Sequence, residues 1–499
     1  MWQFILSTLR NFAQAREGAV AFLFGILIIP MLVGSGLAID FSRGIKARQH
    51  LSQALDAAAL AVGSWTDLTN EQITEKAQAY FDANFAGQEL GTPTALDVQI
   101  NGEKITISAS STIETTLMRL AGFNDLTVDA STEVTLNEKK IELVMVLDNT
   151  GSMGWNGKLG ALKSAADTLL EVLIPEEGPA NSEDVKIGLV PFAAAVNIGS
   201  DKLGLGWIDE TAQSSIATED FQAGVNVLDL YGQIQNFSWN GCVRARAAPN
   251  DTLDTPPSGA TTLWAPYFAP DEPDFNGYSN RYASDSGYSG SYYNYDARQR
   301  YVGKYNNLTI SGTSDGPDFN CRTPTVTPLT ATRATIAGAI DLMVASGNTV
   351  IPAGLAWGWR LISPGEPFTE GAPYSDDDSI KAMILLTDGE NAVSGGMGTH
   401  NRSQYSAYGF AQSGHLGSTN GSQAESTLNS KTSEICTNIK AQGIRLYTIT
   451  FQVPSTAIQD LMRDCATDPK MYYDSPSNDD LDSVFQDIAK GLADLRLSK

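Results

Sequence analysis

Residues 141–153 read IELVMVLDNTGSM, and this stretch decides the fold of the chain. From Ile141 to Leu147 every residue except Glu142 is apolar, which is typical of a strand buried on both faces of a parallel sheet. The apolar run stops at Asp148, where a turn of small polar residues begins. The stretch therefore predicts a central strand whose carboxyl end opens into a polar loop, the place where open α/β sheets bind ligands.

Three oxygen-bearing side chains stand at alternate positions of that loop. Asp148, Thr150 and Ser152 point to one side of a tight turn, and their oxygens suit a hard cation such as Mg²⁺, Mn²⁺ or Ca²⁺. Hydroxyls are neutral ligands, so the cation would keep most of its positive charge and could accept a carboxylate from a partner. The same composition is also ordinary turn chemistry, so the loop alone leaves both interpretations open.

Two later segments add to this pattern. Residues 381–389, KAMILLTDG, form a second apolar run that ends in an acid, and the loop 347–349 places a threonine before a helix. Together the three segments resemble the von Willebrand factor A domain and its metal-ion-dependent adhesion site. The resemblance implies a divalent cation, Mg²⁺ first and Mn²⁺ or Ca²⁺ as alternatives, held by Asp148, Thr150, Ser152, Thr349 and Asp388. Thr150 replaces the serine usual in that family and keeps the hydroxyl.

Strands and helices alternate from residue 139 to residue 499, which predicts an α/β domain with a doubly wound, Rossmann-like parallel sheet. The predicted strands are 141–147, 185–192, 380–387 and 444–451, and the predicted helices are 158–174, 332–346, 350–363, 423–441, 460–465 and 481–495.

A long insertion at about residues 200–328 interrupts this domain. Nine of the 17 tyrosines of the chain lie between positions 267 and 305, among Gly, Ser, Asn, Asp and Pro. Such a composition is found in adaptable recognition loops. It is equally compatible with a packing elaboration of the domain, and both interpretations stay open.

The N-terminal region, residues 1–65, contains 22 uncharged positions from Gly18 to Ile39. As a helix they would span about 33 Å, enough to cross the hydrocarbon core of a bilayer. A cleaved signal peptide is the alternative, but the apolar run is too long for one and no small-residue cleavage site follows before Asp40. We expect a retained transmembrane anchor, with the segment before it cytoplasmic.

An amphipathic stalk helix follows the anchor, because Phe41, Ile45, Leu51 and Leu55 recur at roughly helical spacing. Residues 17–62 resemble the N-terminal segment of TadE/TadG-like proteins of the tight-adherence (Flp) pilus. The matching motifs are Gly18-Ala19-Val20-Ala21, Ile39-Asp40 and Gln53-Ala54-Leu55-Asp56-Ala57-Ala58-Ala59-Leu60-Ala61. Segments near the C-terminus, 358–360, 436, 465–466 and 485–497, also look like TadG-type chains. The resemblance implies a role in pilus assembly and self-association through the N-terminal helix.

A small α/β region, residues 66–138, lies between the stalk and the larger domain. The sequence predicts a helix over 70–85, a hairpin of strands 96–100 and 105–109 around Asn101-Gly102, a helical segment at 113–121 and a final strand at 126–136. Its residues form no pattern typical of a catalytic or ligand-binding site, so we interpret the region as a spacer or a polymer-packing module.

The overall charge and the cysteines limit the partners and the compartment. The formal net charge is −24, which makes nucleic acid an improbable partner. An even number of cysteines, four, is consistent with export to an oxidising compartment. Three connectivities are open; Cys436 and Cys465 lie on consecutive helices flanking one strand, so we expect them to pair, leaving Cys242 with Cys321.

These observations and resemblances lead to a functional hypothesis. We expect a non-enzymatic, single-pass protein of a bacterial inner membrane whose C-terminal domain is periplasmic or at the cell surface. It would bind an Asp or Glu of an envelope or pilus protein through the metal. A surface adhesin or mechanosensor acting outside pilus assembly is the alternative. A metal-dependent hydrolase with Asp148 as nucleophile is disfavoured, because Thr150 stands where such a site would need a second acid.

Overall fold

The chain forms two units, one up to Glu138 and one from Lys139 to Ser498. The computed structural model describes residues 17–63, 69–85, 91–101, 104–135, 139–175, 184–222, 224–312, 314–393 and 398–497. Residues 1–16 of the predicted cytoplasmic segment 1–17, and Gly102 of the predicted hairpin turn, lie outside the described residues.

The first unit is built on helix α1, Glu17–Gly63, whose part from Leu23 onward is long and apolar enough to cross a membrane by length and composition. One face of its second half is buried, and these residues recur every three or four positions: Gly36, Asp40, Gly44, Ala47, Leu51, Leu55, Ala58 and Val62. Phe41 and Ile45, predicted on the packed face, are instead 64% and 55% exposed. Small residues occupy the packed face because the sheet comes very close: a Cβ at Gly44 would lie 2.5 Å from Leu126 Cδ2.

A second helix and an antiparallel sheet complete this unit. Helix α2, Asn70–Asn84, begins with a capping box in which Thr69 and Gln72 satisfy each other's backbone N–H groups. The strands are β1 Thr92–Pro93, β2 Asp97–Asn101, β3 Lys104–Glu114 and β4 Asp125–Thr135, with β3 pairing all the others. The predicted helical segment at 113–121 is wrong: its β-branched start continues β3, and only Met118–Ala121 forms a 3-10 turn.

The second unit contains a six-stranded mixed sheet in the order β12-β11-β10-β5-β6-β9. Its strands are β5 Lys140–Asp148, β6 Val185–Phe192, β9 Thr327–Thr330, β10 Ser379–Thr387, β11 Arg445–Phe451 and β12 Tyr472–Ser475; a separate two-stranded ribbon pairs β7 Val196–Asn197 with β8 Cys242–Val243. The main helices are α3 Lys158–Leu173, α6 Arg333–Asp341, α7 Ile351–Ile362, α8 Gly421–Ala441, α9 Thr456–Cys465 and α10 Asn478–Leu497, and the short helices α4 Val227–Gln233 and α5 Tyr295–Gln299 lie in the insertion.

Strand β5 is buried on both faces, as its apolar run predicts. Val144 and Val146 belong to a core formed with α7, α8 and α9, whereas Leu143, Met145 and Leu147 belong to a core formed with α3, α6 and α10. Side chains alternate across a strand, so consecutive apolar residues are needed where helices cover both faces. This arrangement leaves only the strand ends free to present polar groups.

Two predictions about the second unit need correction, one for a strand and one for a helix. The sequence predicted only parallel strands, but β9 pairs antiparallel to β6 at the sheet edge. Pro328 lacks a backbone N–H and so is compatible with an edge strand but not with a central one. The helix predicted over 332–346 ends at Asp341, and the chain then runs as a loop toward α7.

The insertion is folded and packs against α7. The rings of Trp264 and Trp357 lie 4.8 Å apart between centroids, and the buried Arg360 of α7 donates hydrogen bonds to the carbonyls of Asn250, Asp251 and Leu253. Several of the clustered tyrosines are core residues, including Tyr267 and Tyr305, while Tyr292 and Tyr293 are exposed. These contacts favour the packing interpretation for most of the insertion.

Two disulfides staple this unit, and both are those predicted. Cys242 pairs with Cys321 across the insertion, and Cys436 of α8 pairs with Cys465 of α9. No cysteine is free. The pairing agrees with a chain that folds in an oxidising compartment.

Candidate metal site

The loops after β5 and β10 meet because these strands are neighbours in the sheet. The strands are parallel, and Leu147 stands opposite Leu386 in their register. Asp148 and Asp388 therefore leave the sheet side by side, at the carboxyl ends of two central strands. This is the edge at which the sequence predicted a site.

The first loop presents its polar atoms through a tight turn. Asp148 is fully buried, and its Oδ1 accepts the backbone N–H of Thr150 at 2.8 Å. Thr150 is extended and precedes a 3-10 turn, Gly151–Gly154. As a result the hydroxyls of Thr150 and Ser152 lie 3.1 Å apart. The three side chains face the same side, as their alternation predicted.

The second loop, residues 346–349, is tied to the first by its backbone. Ser346 donates to the carbonyl of Asn149 and Gly151 donates to the carbonyl of Gly347, both at 2.9 Å. Gly347 has a φ of +82°, and a Cβ there would lie 2.7 Å from the carbonyl oxygen of Asn320. Only glycine suits both conditions.

Thr349 follows in this loop and is 5% exposed. A Cβ built on Gly389 would lie 3.9 Å from its hydroxyl oxygen, which puts Thr349 beside the third loop. Its backbone carbonyl accepts the N–H of Ala392 at 2.8 Å, a further tie between the second and third loops.

The third loop brings in Asp388. Its Oδ1 accepts the hydroxyl of Ser152 at 2.6 Å, a contact between residues 236 positions apart in the sequence. Its backbone N–H points to Asp148 Oδ2 at 3.4 Å, and the hydroxyl of Thr387 donates to the same oxygen at 2.8 Å. The structure thus brings the five predicted residues to one edge of the sheet, four of them in one chain of hydrogen bonds.

The electrostatics of the site raise the pKa of Asp148 to about 6. Burial is the largest cause, because it penalises the charged carboxylate, and the negative charge of Asp388 adds to it. Hydrogen bonds from Thr150 and Thr387 act in the opposite direction. Two acids are held together here at an electrostatic cost, which a bound cation would reduce.

Lys158 and Thr387 are site residues that the sequence analysis missed. The Lys158 ammonium donates to Asp388 Oδ2 at 2.9 Å, and only 10% of its side chain is exposed. Lys158 is also the first residue of α3, where the helix dipole disfavours a cation. A basic residue in that position is a signal, available in the sequence, that a carboxylate lies nearby.

The residues present fit a hard divalent cation. The donors at this edge are carboxylate and hydroxyl oxygens, which Mg²⁺ prefers over nitrogen or sulfur ligands. Within the described part of the chain, no group of three or more His, Cys, Asp and Glu side chains is placed to hold a metal. An ion at this edge would therefore depend on the hydroxyls of Thr150, Ser152 and Thr349 as well as on the two acids.

Comparison with known families confirms the resemblance predicted for the N-terminal segment. Residues 18–64 match the sequence model of a family described as putative Flp pilus-assembly TadE/G-like. A search of curated proteins finds no match to the chain.

Several solved structures are similar to the chain at low identity. The vWF domain of the type V pili tip protein Mfa5 from Porphyromonas gingivalis is 10% identical, with a TM-score of 0.34, covering 72% of this chain and 97% of that one. The adhesive tip pilin GBS104 from Group B Streptococcus agalactiae is 10% identical, with a TM-score of 0.34, covering 71% and 100%. The pilus adhesin SpaC from Lactobacillus rhamnosus GG is 12% identical, with a TM-score of 0.31, and this chain spans 33% of its length while 80% of this chain is covered.

Proposed function

We propose that this protein is a membrane-anchored, non-enzymatic adhesion or assembly component of a tight-adherence pilus system. Its second unit is a von Willebrand factor A domain with a doubly wound sheet, and its site holds Mg²⁺, or Mn²⁺ or Ca²⁺ in its place. Asp148, Thr150, Ser152, Thr349 and Asp388 are the residues that would hold the ion. An Asp or Glu of an envelope or pilus protein would then bind there.

One observation carries this proposal: the hydroxyl of Ser152 lies 2.6 Å from Asp388 Oδ1. The contact joins the loops of two neighbouring strands, so both carboxylates and the hydroxyls of Thr150 and Ser152 belong to one hydrogen-bonded cluster at the sheet edge. The neutral hydroxyls would leave a bound cation its positive charge, and the chemistry supplied would be the binding of an acidic side chain. The family match at residues 18–64 favours a pilus system over a surface adhesin or mechanosensor unrelated to pili.

The surroundings of Asp148 support a binding role over hydrolysis. The residue has no exposed surface, and each of its carboxylate oxygens accepts a hydrogen bond. The reacting atom of a substrate would have to reach one of these buried oxygens directly, whereas a small cation could still bind through their remaining lone pairs. Thr150 stands two residues after Asp148, where a phosphoaspartate-type site would carry its second acid.

The metal is tested by thermal unfolding of the full chain in detergent, with and without Mg²⁺ or Mn²⁺. A ligand present at a hundredfold excess over its Kd stabilises the folded state by about 2.7 kcal/mol, so we expect a higher unfolding temperature with metal. Asp148→Asn should remove this rise. It should change the unfolding temperature of the metal-free protein little, because removal of the repulsion between Asp148 and Asp388 offsets the loss of one oxygen that accepts a hydrogen bond.

Glu142→Gln is the matched control, because Glu142 is another buried acid of β5 and pairs with Lys381 at 2.5 Å. It lies six residues before Asp148, about 20 Å along the strand. This variant should lose stability and keep the full response to metal. If the unmodified protein showed no response to either metal, the assignment of the site would be wrong.

A further inference from the structure

A loop of the first unit, residues 115–124 between β3 and β4, is held tightly against helix α1; we name it the collar loop. The buried carboxylate of Asp40 accepts the backbone N–H groups of Thr116, Leu117 and Met118 at 3.1, 2.8 and 2.8 Å. Arg43, one turn further along the helix, donates to the hydroxyl of Thr116 at 2.7 Å. These bonds fix the position of the loop along the helix axis.

The collar loop lies beside the end of the uncharged stretch of α1, which ends at Ile39. A Cβ at Gly36 would collide with the Cβ of Leu117, so Leu117 lies directly on Gly36. Gly36 precedes Ile39 by three residues, or about 4.5 Å of helix. The side chain of Leu117 is therefore beside the last turn of the predicted membrane span.

Exposed apolar side chains occur on both the helix and the collar loop near this level. Phe123 of the collar loop is 59% exposed, and Leu37, Phe41 and Ile45 of α1 are 41%, 64% and 55% exposed. None of them belongs to the hydrophobic core of the unit. Leu37, Phe41 and Ile45 recur every four residues and so form one apolar face of the helix, of the kind that marks a contact with another apolar phase.

The charged groups near this level are of both signs. Arg119 lies exposed on the collar loop, and Lys46 is exposed on α1. Glu114 and Asp125 face each other on β3 and β4 at the end of the sheet nearest the loop. Apart from the buried Asp40, these acids are thus on the strands, while the loop itself carries the arginine.

We propose that the collar loop rests in the headgroup layer of the bilayer that α1 crosses, so that the first unit sits directly on the membrane. Leu117 and Phe123 lie against the upper acyl chains together with Leu37 and Phe41, and Arg119 lies at the lipid phosphates. Aromatic and apolar residues at this depth and basic residues at the headgroups are the pattern of membrane-interface contacts. The inference rests on the proposed membrane anchor.

The test places nitroxide labels in the full chain, reconstituted in vesicles of phosphatidylcholine with a minority of phosphatidylglycerol. All four native cysteines are paired, so a Cys introduced at Phe123 is the one free thiol. We expect a label at 123 to collide readily with oxygen and poorly with a water-soluble nickel chelate. A label at Lys104→Cys is the control and should show the reverse, since Lys104 lies at the far end of β3, about 33 Å along the strand from Glu114 next to the collar loop.

A third label, at Ile28→Cys, separates this inference from the anchor itself. If position 28 is protected from the chelate while position 123 is as open to it as position 104, the collar contact is wrong and the anchor stands. If position 28 is also open to the chelate, both are wrong. Crosslinking of the unlabelled chain with a photoactivatable phospholipid gives an independent result, and absence of crosslinks at residues 115–124 would overturn the proposal.

Discussion

Lys158 controls the charge of the proposed metal site. Asp148 and Asp388 contribute two negative charges and Lys158 one positive charge, so a divalent ion would leave the site with a single net positive charge. That residual charge is what would attract an acidic side chain. Without Lys158 the loaded site would be neutral, and it would bind the cation better and a carboxylate less well.

Lys158→Met should therefore raise the affinity for Mg²⁺ on the order of tenfold, because a repelling charge beside Asp388 is removed. It should also lower the unfolding temperature of the metal-free protein, in which the ammonium pairs with Asp388 at 2.9 Å. Isothermal titration calorimetry and thermal unfolding measure the two effects. Lys163→Met is the control, because Lys163 is on the same helix but donates to the carbonyl of Asp341. This variant should not change the affinity for Mg²⁺. Weaker Mg²⁺ binding in Lys158→Met would mean that Lys158 instead orients the carboxylate.

At the scale of single residues, the local pattern could be derived from the sequence itself, while the distant Thr349 and Asp388 were predicted only through the resemblance to a known domain. Asp148, Thr150 and Ser152 form a pattern within five positions, so their common direction could be derived from the alternation alone. The pairing of Lys158 with Asp388 joins positions 230 apart and depends on the adjacency of β5 and β10. The unfavourable position of a cation at the start of α3 was the sole local indication that Lys158 pairs with an acid.

At the scale of elements, the Cys242–Cys321 disulfide supports the loop that carries Thr349. Cys321 follows Asn320, whose carbonyl oxygen lies under Gly347 in the loop that carries Thr349. Cys436–Cys465 joins α8 and α9, and neither cysteine adjoins a predicted ligand. The two disulfides therefore serve different parts of the second unit.

The Cys242→Ser/Cys321→Ser variant should bind Mg²⁺ more weakly, because the support of the Thr349 loop is loosened. Cys436→Ser/Cys465→Ser is the matched control and should bind Mg²⁺ as the unmodified protein does. Both variants should be less stable, since disulfides that close long loops contribute on the order of 2–4 kcal/mol. Titration calorimetry at a temperature where both variants remain folded separates affinity from stability. Equal loss of affinity in the two variants would contradict a specific support.

Elements with a strong periodic pattern were predictable, and short polar ones were not. The buried runs of β5, β10 and β11 lie within a residue or two of their predicted bounds. Strands β9 and β12 were missed, because each has four residues of mixed polarity and is defined by its neighbour in the sheet. Phe41 and Ile45 were assigned to the wrong face of α1, since glycines at close-packed positions carry no hydrophobic signal.

At the scale of the whole molecule, the prediction concerns attachment. A strain that produces Asp148→Asn at normal level should lose most of its piliation and surface attachment, because the partner's acidic side chain would have no cation to bind. Pilus counts by electron microscopy and a surface-attachment assay measure this. A strain producing Glu142→Gln is the control and should attach normally. Normal attachment by the Asp148→Asn strain would reduce the site to a structural role.

The insertion limits how its own role can be tested. Removing residues 267–305 would delete the buried Tyr267, Tyr305 and Lys304, the last paired with Asp271, and would damage the core. The exposed Tyr292 and Tyr293 are the better targets. Their replacement by alanine should leave attachment intact if the insertion serves packing alone.

Helix α1 passes from the proposed membrane span into the first unit without a break, over 47 residues from Glu17 to Gly63. Such a helix is about 70 Å long, and its second half is clamped along the sheet by close glycine contacts and by Asp40. A force applied to the first unit would therefore be transmitted along this helix and would tilt the helix in the bilayer. No flexible linker lies between the first unit and the membrane span to absorb the force. The orientation of this unit relative to the membrane is then a mechanical property of one helix.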